Sequence, residues 1–90
     1  MSNYYSTIDN NILTFTDIIS DSNGFEKITA RFERAKEKGF DYSEWTIPGL
    51  SNTKAYGFSE DEILSQERYL LNNQLLIWEI AKEKEIMSNA

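Results

Sequence analysis

The sequence predicts a mostly α-helical fold, a small single domain over residues 1–90 of about three helices with a long aromatic-rich loop before a long C-terminal helix. Three observations predict it. Apolar residues recur at helical spacing in two early stretches. A glycine follows the second stretch where a helix stop belongs. An S-x-x-E capping box then opens a C-terminal segment rich in leucine and isoleucine.

Residues 1–7 are polar, lack periodicity and read as flexible. Over residues 8–20, Ile8, Ile12, Phe15 and Ile19 fall at helical spacing, which favours a helix. The β-branched run NILTFTDII supports an alternative, an α+β fold with residues 11–19 as a strand. Asp21-Ser22-Asn23-Gly24 is a break, and Asn23 with Glu26 can cap a second helix over residues 24–38. Phe25, Ile28, Phe32 and Ala35 would form its apolar face, and Gly39 would end it in the left-handed conformation.

Residues 40–58 are expected to be the loop, with a turn at Ile47-Pro48-Gly49-Leu50. Its aromatic content suits a loop pinned to the core. A sharper reading makes Tyr42, Trp45, Leu50 and Tyr56 a surface for a partner, because functional contacts often lie on loops. The third helix is expected over residues 59–87. Ser59 and Glu62 form the capping box, and Glu60, Asp61 and Glu62 face the positive end of the helix dipole, so this acidic cluster reads as a cap and not as a metal site.

Composition excludes several chemistries. The 90 residues include no cysteine and no histidine. Thiolate nucleophiles, imidazole bases and N/S-ligated metals are therefore absent, and no cofactor is expected. Ser51-Asn52-Thr53-Lys54 has the S-x-x-K spacing of penicillin-binding enzymes, but its companion motifs are missing. A net charge of −6 disfavours nucleic acid and anionic membranes, and leaves an acidic DNA-mimic decoy as a minor alternative. No signal peptide and no membrane-spanning run are seen, which suits a cytoplasmic protein, including one acting in a host cytoplasm.

Two charged or apolar arrays remain as candidate sites. On a helical second segment, Lys27, Arg31, Arg34 and Lys38 would share one flank and could contact phosphate. On the third helix, Ile63, Leu64, Leu70, Leu71, Leu75, Ile77, Trp78 and Ala81 read as the core face. Tyr69, Leu76, Ile80 and Met87 form a second seam at spacings of seven, four and seven, with Asn73 at an a position. That seam, Tyr69, Asn73, Leu76, Ile80 and Met87, is the expected interface for a homodimer or another protein.

The expected function is a small acidic, non-enzymatic interaction module, a regulator or inhibitor that occupies a partner protein's surface. The alternative is a helical protein that engages nucleic acid through the basic flank. Richness in Asn, Ile and Lys suits an AT-rich genome. A short chain without catalytic groups is of the kind found among phage and mobile-element effectors, anti-defence proteins included.

Overall fold

A computed structural model describes residues 2–88, and in it most of the chain is strand. Six strands precede one helix: β1 Ser2–Ile8, β2 Asn11–Thr16, β3 Ile19–Ser20, β4 Glu26–Lys36, β5 Gly39–Ile47, β6 Ser51–Tyr56 and α1 Glu60–Ser88. The sheet is antiparallel throughout, in the order β1-β2-β4-β5-β6, with the short β3 paired to the start of β4. The mostly α, three-helix expectation is therefore overturned. Residues 24–38 and 40–58 are strands and turns, residues 2–7 of the expected flexible tail lie in the edge strand β1, and of the alternative strand over 11–19 only Asn11–Thr16 forms β2, with Ile19 in the separate β3.

The reason lies in the pairing. Ile28, Ala30 and Phe32 alternate with Thr29 and Arg31 along β4, and only the first set is buried. A spacing of four, as between Ile28 and Phe32, is compatible with both a strand and a helix, so the apolar positions alone did not separate the two. The glycine that resembled a helix stop belongs to a hairpin instead. Lys36 pairs with Gly39 across the Glu37-Lys38 loop, and Gly39 has φ 109°. Asp9 and Asn10, with φ 49° and 65°, close the β1–β2 hairpin in the way a type I′ turn requires.

One face of the sheet carries the core. Leu13 and Phe15 of β2, Ile28, Ala30 and Phe32 of β4, and Trp45 and Ile47 of β5 meet Leu70, Ile77 and Ala81 of α1. The 29-residue helix is about 43 Å long at 1.5 Å per residue, matching the molecule's 42 Å long dimension. It therefore runs the length of the molecule over β1, β2, β4 and β5, while the residues of β6 stay exposed. Ser59 caps it: the Ser59 hydroxyl accepts from the Glu62 amide at 3.2 Å, and the Glu62 carboxylate accepts from the Ser59 amide at 2.9 Å.

The opposite face of the sheet is uncovered but chemically occupied. Arg31 donates to Glu33 and Glu44 at 2.8 and 2.6 Å, and its guanidinium lies 4.4 Å from the centre of the Tyr42 ring. Tyr42 in turn stacks on Tyr56. A solvated, ion-paired outer face is the ordinary state of an antiparallel sheet.

Under the β6–α1 connection, Asp41 is fully buried on β5. Its Oδ1 lies 2.6 Å from Lys36 Nζ, and its Oδ2 accepts from Arg34 Nε and Nη2 at 3.0 and 2.7 Å. Gly57, at φ 85°, crosses directly over this carboxylate, and a Cβ there would lie 1.9 Å from Asp41 Oδ1. Gly57→Ala should therefore destabilise the fold by about 2–4 kcal/mol, from left-handed strain and overpacking together. Urea denaturation measures this, and an unchanged midpoint would show that the crossing is loose.

Candidate functional site

The sheet positions α1 so that one of its sides is buried and the other faces water. Gln66, Leu70, Ile77 and Ala81 point to the sheet, and Ile63, Tyr69, Trp78 and Ile80 pack at the margins of the core. The side opposite carries Leu64, Leu71 and Leu75, which are 60%, 60% and 70% exposed. At 100° per residue, Leu64, Arg68, Leu71, Leu75, Trp78 and Lys82 fall in one narrow stripe. Soluble monomers rarely display contiguous apolar surface of this kind without a use for it.

This placement divides both apolar sets read from the sequence. In the broad set assigned to the core, Leu70, Ile77 and Ala81 are buried, while Leu64, Leu71 and Leu75 are on the outside. In the expected interface seam, Tyr69, Asn73 and Ile80 lean on the sheet. The Tyr5 hydroxyl donates to Asn73 Oδ1 at 2.7 Å, Tyr69 and Ser6 share a hydrogen bond of 3.0 Å, and Asn73 Nδ2 donates back to the Tyr69 carbonyl. Burial, with Tyr69 beside it, pushes the Tyr5 hydroxyl pKa up. Only Leu76 and Met87 of that seam are exposed. The sequence did contain a signal for the outer stripe, since an eight-residue apolar arc is wider than one helix face can bury against a single sheet.

The loop surface is also redistributed. Trp45 is core, Leu50 packs partly against the core, and Tyr42 and Tyr56 are stacked on the open sheet face. The four cations do not share a flank, because β4 is extended. Arg31 is on the open face and Arg34 on the helix side. Lys27 and the hairpin-loop residue Lys38 are separated by a strand length of roughly 36 Å.

Arg34 is fully engaged, with Asp41, with Glu62 at the start of α1, and with the Phe58 ring 4.7 Å below its guanidinium. Lys36 first, then Arg34, hold the Asp41 carboxyl below its ordinary range, against a desolvation that pushes it up. The Ser59 amide, then Arg34, do the same for Glu62. These charges join the sheet to the helix and leave little for an anion.

An open groove of about 530 Å³ lies between Asn3, Asp17 and the last turns of α1, and a shallow one of about 330 Å³ lies beside Phe58 and Leu64. A cavity of about 200 Å³ lies between the β1–β2 turn and the first turns of α1, lined by Phe32, Gln66 and Tyr69 among others. That is below the ~300–1,000 Å³ usual for small-molecule sites. Among the described residues, no group of three His, Cys, Asp or Glu side chains could hold a metal ion, and no helix is long and apolar enough to cross a membrane. No family model, no curated protein and no solved structure matches the chain.

Proposed function

We propose that this chain is a small acidic protein-interaction module that works by presenting the outer face of α1. The exposed Leu64–Leu71–Leu75 stripe is the observation that carries this reading. The other surfaces support it by contrast. On the open sheet face Arg31 is paired with Glu33 and Glu44, and Tyr42 and Tyr56 stack on each other. Each outer strand carries a bulge, with Tyr5 the extra residue on β1 and Thr53 on β6, and Lys54 sits on β6; both devices discourage pairing with a further strand. Exposed apolar side chains also lie off the helix, at Tyr4, Phe25, Phe40 and Tyr56 among others, but α1 aligns Leu64, Leu71 and Leu75 along one side.

Acidic residues flank the stripe, among them Glu60, Glu67 and Glu79, so the surface is an apolar strip in a negative frame. Such a strip favours apolar anchors for affinity. This is the mode of a regulator or inhibitor that occupies another protein's surface, in the cytoplasm of its own cell or of a host.

Leu71→Asp with Leu75→Asp should weaken partner binding by about 100-fold or more, while leaving the melting temperature within a few degrees of the parent. A photo-crosslinking residue placed at Leu71 should form adducts, and one placed at Thr53 on the β6 edge should not. Adducts confined to Thr53, or binding indifferent to the double substitution, would refute the assignment of the outer face.

A further inference from the structure

We infer that the occupant of this face is a second copy of the same chain, docked through an antiparallel pairing of the two α1 helices; this rests on the interaction reading above. The stripe Leu64, Arg68, Leu71, Leu75, Trp78, Lys82 advances by alternating steps of four and three, the d-to-a and a-to-d spacing of paired helices. Turned about a two-fold axis at residue 73, it matches itself. Leu71 then meets Leu75 of the second copy, Arg68 meets Trp78, and Leu64 meets the aliphatic stem of Lys82. Each of these contacts occurs twice, as an isologous interface requires.

The chemistry of the layers is complementary. The Leu71–Leu75 contacts lie at the centre, where anchors count most. The guanidinium of Arg68, an exposed residue on the stripe, comes over the indole of Trp78, a favourable cation–π pair. Lys82 already reaches Glu26 at 2.9 Å, and its ammonium stands 5.8 Å from the Trp78 ring, so its charge is compensated within its own chain. The flanking residues that approach in this register are Ser65 with Glu79, and Asn72 and Gln74 with their own copies, so no like charges face each other there.

The next layer out, Asp61 against Glu85, is like-charged and ends the contact. The paired segment is thus Leu64 to Lys82, about 27 Å of helix. A parallel pairing would instead set Arg68 against Arg68 and Lys82 against Lys82, which disfavours it.

Each copy carries a net charge of −6, so their long-range repulsion opposes association and salt should relieve it. In sedimentation equilibrium the full chain should have twice the monomer mass, and the dissociation constant should fall as NaCl is raised from 0.1 to about 0.5 M. Leu71→Glu should raise that constant roughly 100-fold while the circular dichroism spectrum stays unchanged.

Because the chain has no cysteine, an equimolar mixture of R68C and W78C chains should oxidise to a covalent pair. Neither should do so alone, since like positions would be about 15 Å apart along the axis. A monomer at millimolar concentration and high salt overturns the second copy, as does a dimer indifferent to Leu71→Glu. A dimer linked by R68C alone overturns the antiparallel register. The broader reading fails separately. A monomer whose Leu71 crosslinker captures a different protein refutes only the second copy, whereas a monomer whose outer face captures nothing refutes both.

Discussion

Replacing Trp45 by alanine should destabilise the protein by about 3–5 kcal/mol and lower its melting temperature by roughly 15 °C or more. Trp45 is the largest of the fully buried side chains, seated on β5 beneath α1. Its indole nitrogen donates to Ser43 Oγ at 3.2 Å and approaches Gln66 Oε1 at 3.4 Å, while Ser43 Oγ donates to Gln66 Oε1 at 2.5 Å. The alanine variant therefore leaves a cavity and also removes one member of a buried polar chain that joins the sheet to the helix. A domain of this size holds on the order of 5–13 kcal/mol in total, so the variant should sit near the edge of folding. Trp45→Phe separates the two contributions. It keeps most of the volume and loses the N–H, and should cost about 1–2 kcal/mol. Denaturant titration of the two variants tests this, and equal losses would mean that volume is not what Trp45 supplies.

Arg34→Met should make the protein acid-labile. In the parent, the carboxyls of Asp41 and Glu62 are both held below their ordinary values of 3.8 and 4.5. A carboxyl depressed in this way contributes stability that is fully present above its unfolded-state pKa. That stability is lost as pH falls through the lower folded-state pKa. The parent should therefore keep its fold at neutral pH and lose this contribution only below about pH 4.

With Arg34 gone, Asp41 retains Lys36 but remains fully buried, and Glu62 retains only the Ser59 cap. Both carboxyls should rise toward or above their ordinary range, and the acid-unfolding midpoint should move to higher pH. Removing one partner of a buried pair strands the other charge, so the variant should also melt lower at pH 7. A circular-dichroism titration from pH 7 to pH 2 measures the shift. A midpoint that stays in place would mean that Lys36 alone neutralises Asp41.

What could be read from residues in order differed sharply between the two halves of the fold. Ser59 and Glu62 cap α1 through contacts three residues apart, and such local signals are legible without a fold. The hairpins also had local signals, Asp9-Asn10 and Gly39, but the first pair fell inside the stretch whose spacing favours a helix from residue 8, and the glycine suits a helix stop. β5 was the hardest. Its core face is Asp41, Ser43, Trp45 and Ile47, so two of the four inward positions are polar and the alternation is disguised. Asp41 is tolerated there because Arg34 and Lys36 stand opposite on β4, and Gln66 meets Ser43 from the helix. None of those partners is a sequence neighbour.

The candidate surface shows the same division. That α1 has more apolar residues than one face can bury is a property of the sequence, as are its capped start, the acidic balance and the absence of imidazole and thiol chemistry. Which leucines are buried is not. Leu70 and Leu71 are adjacent and chemically identical, and one is fully buried while the other is mostly in water. The choice is made by where the sheet lies, through the hydrogen bonds of Asn73 and Tyr69 to β1 and of Gln66 to β5, and by the ion pair from Glu62 to Arg34. Periodicity fixes the angles between side chains around a helix. Only contacts from distant strands fix the rotation of that helix, and with it the side left free for a partner.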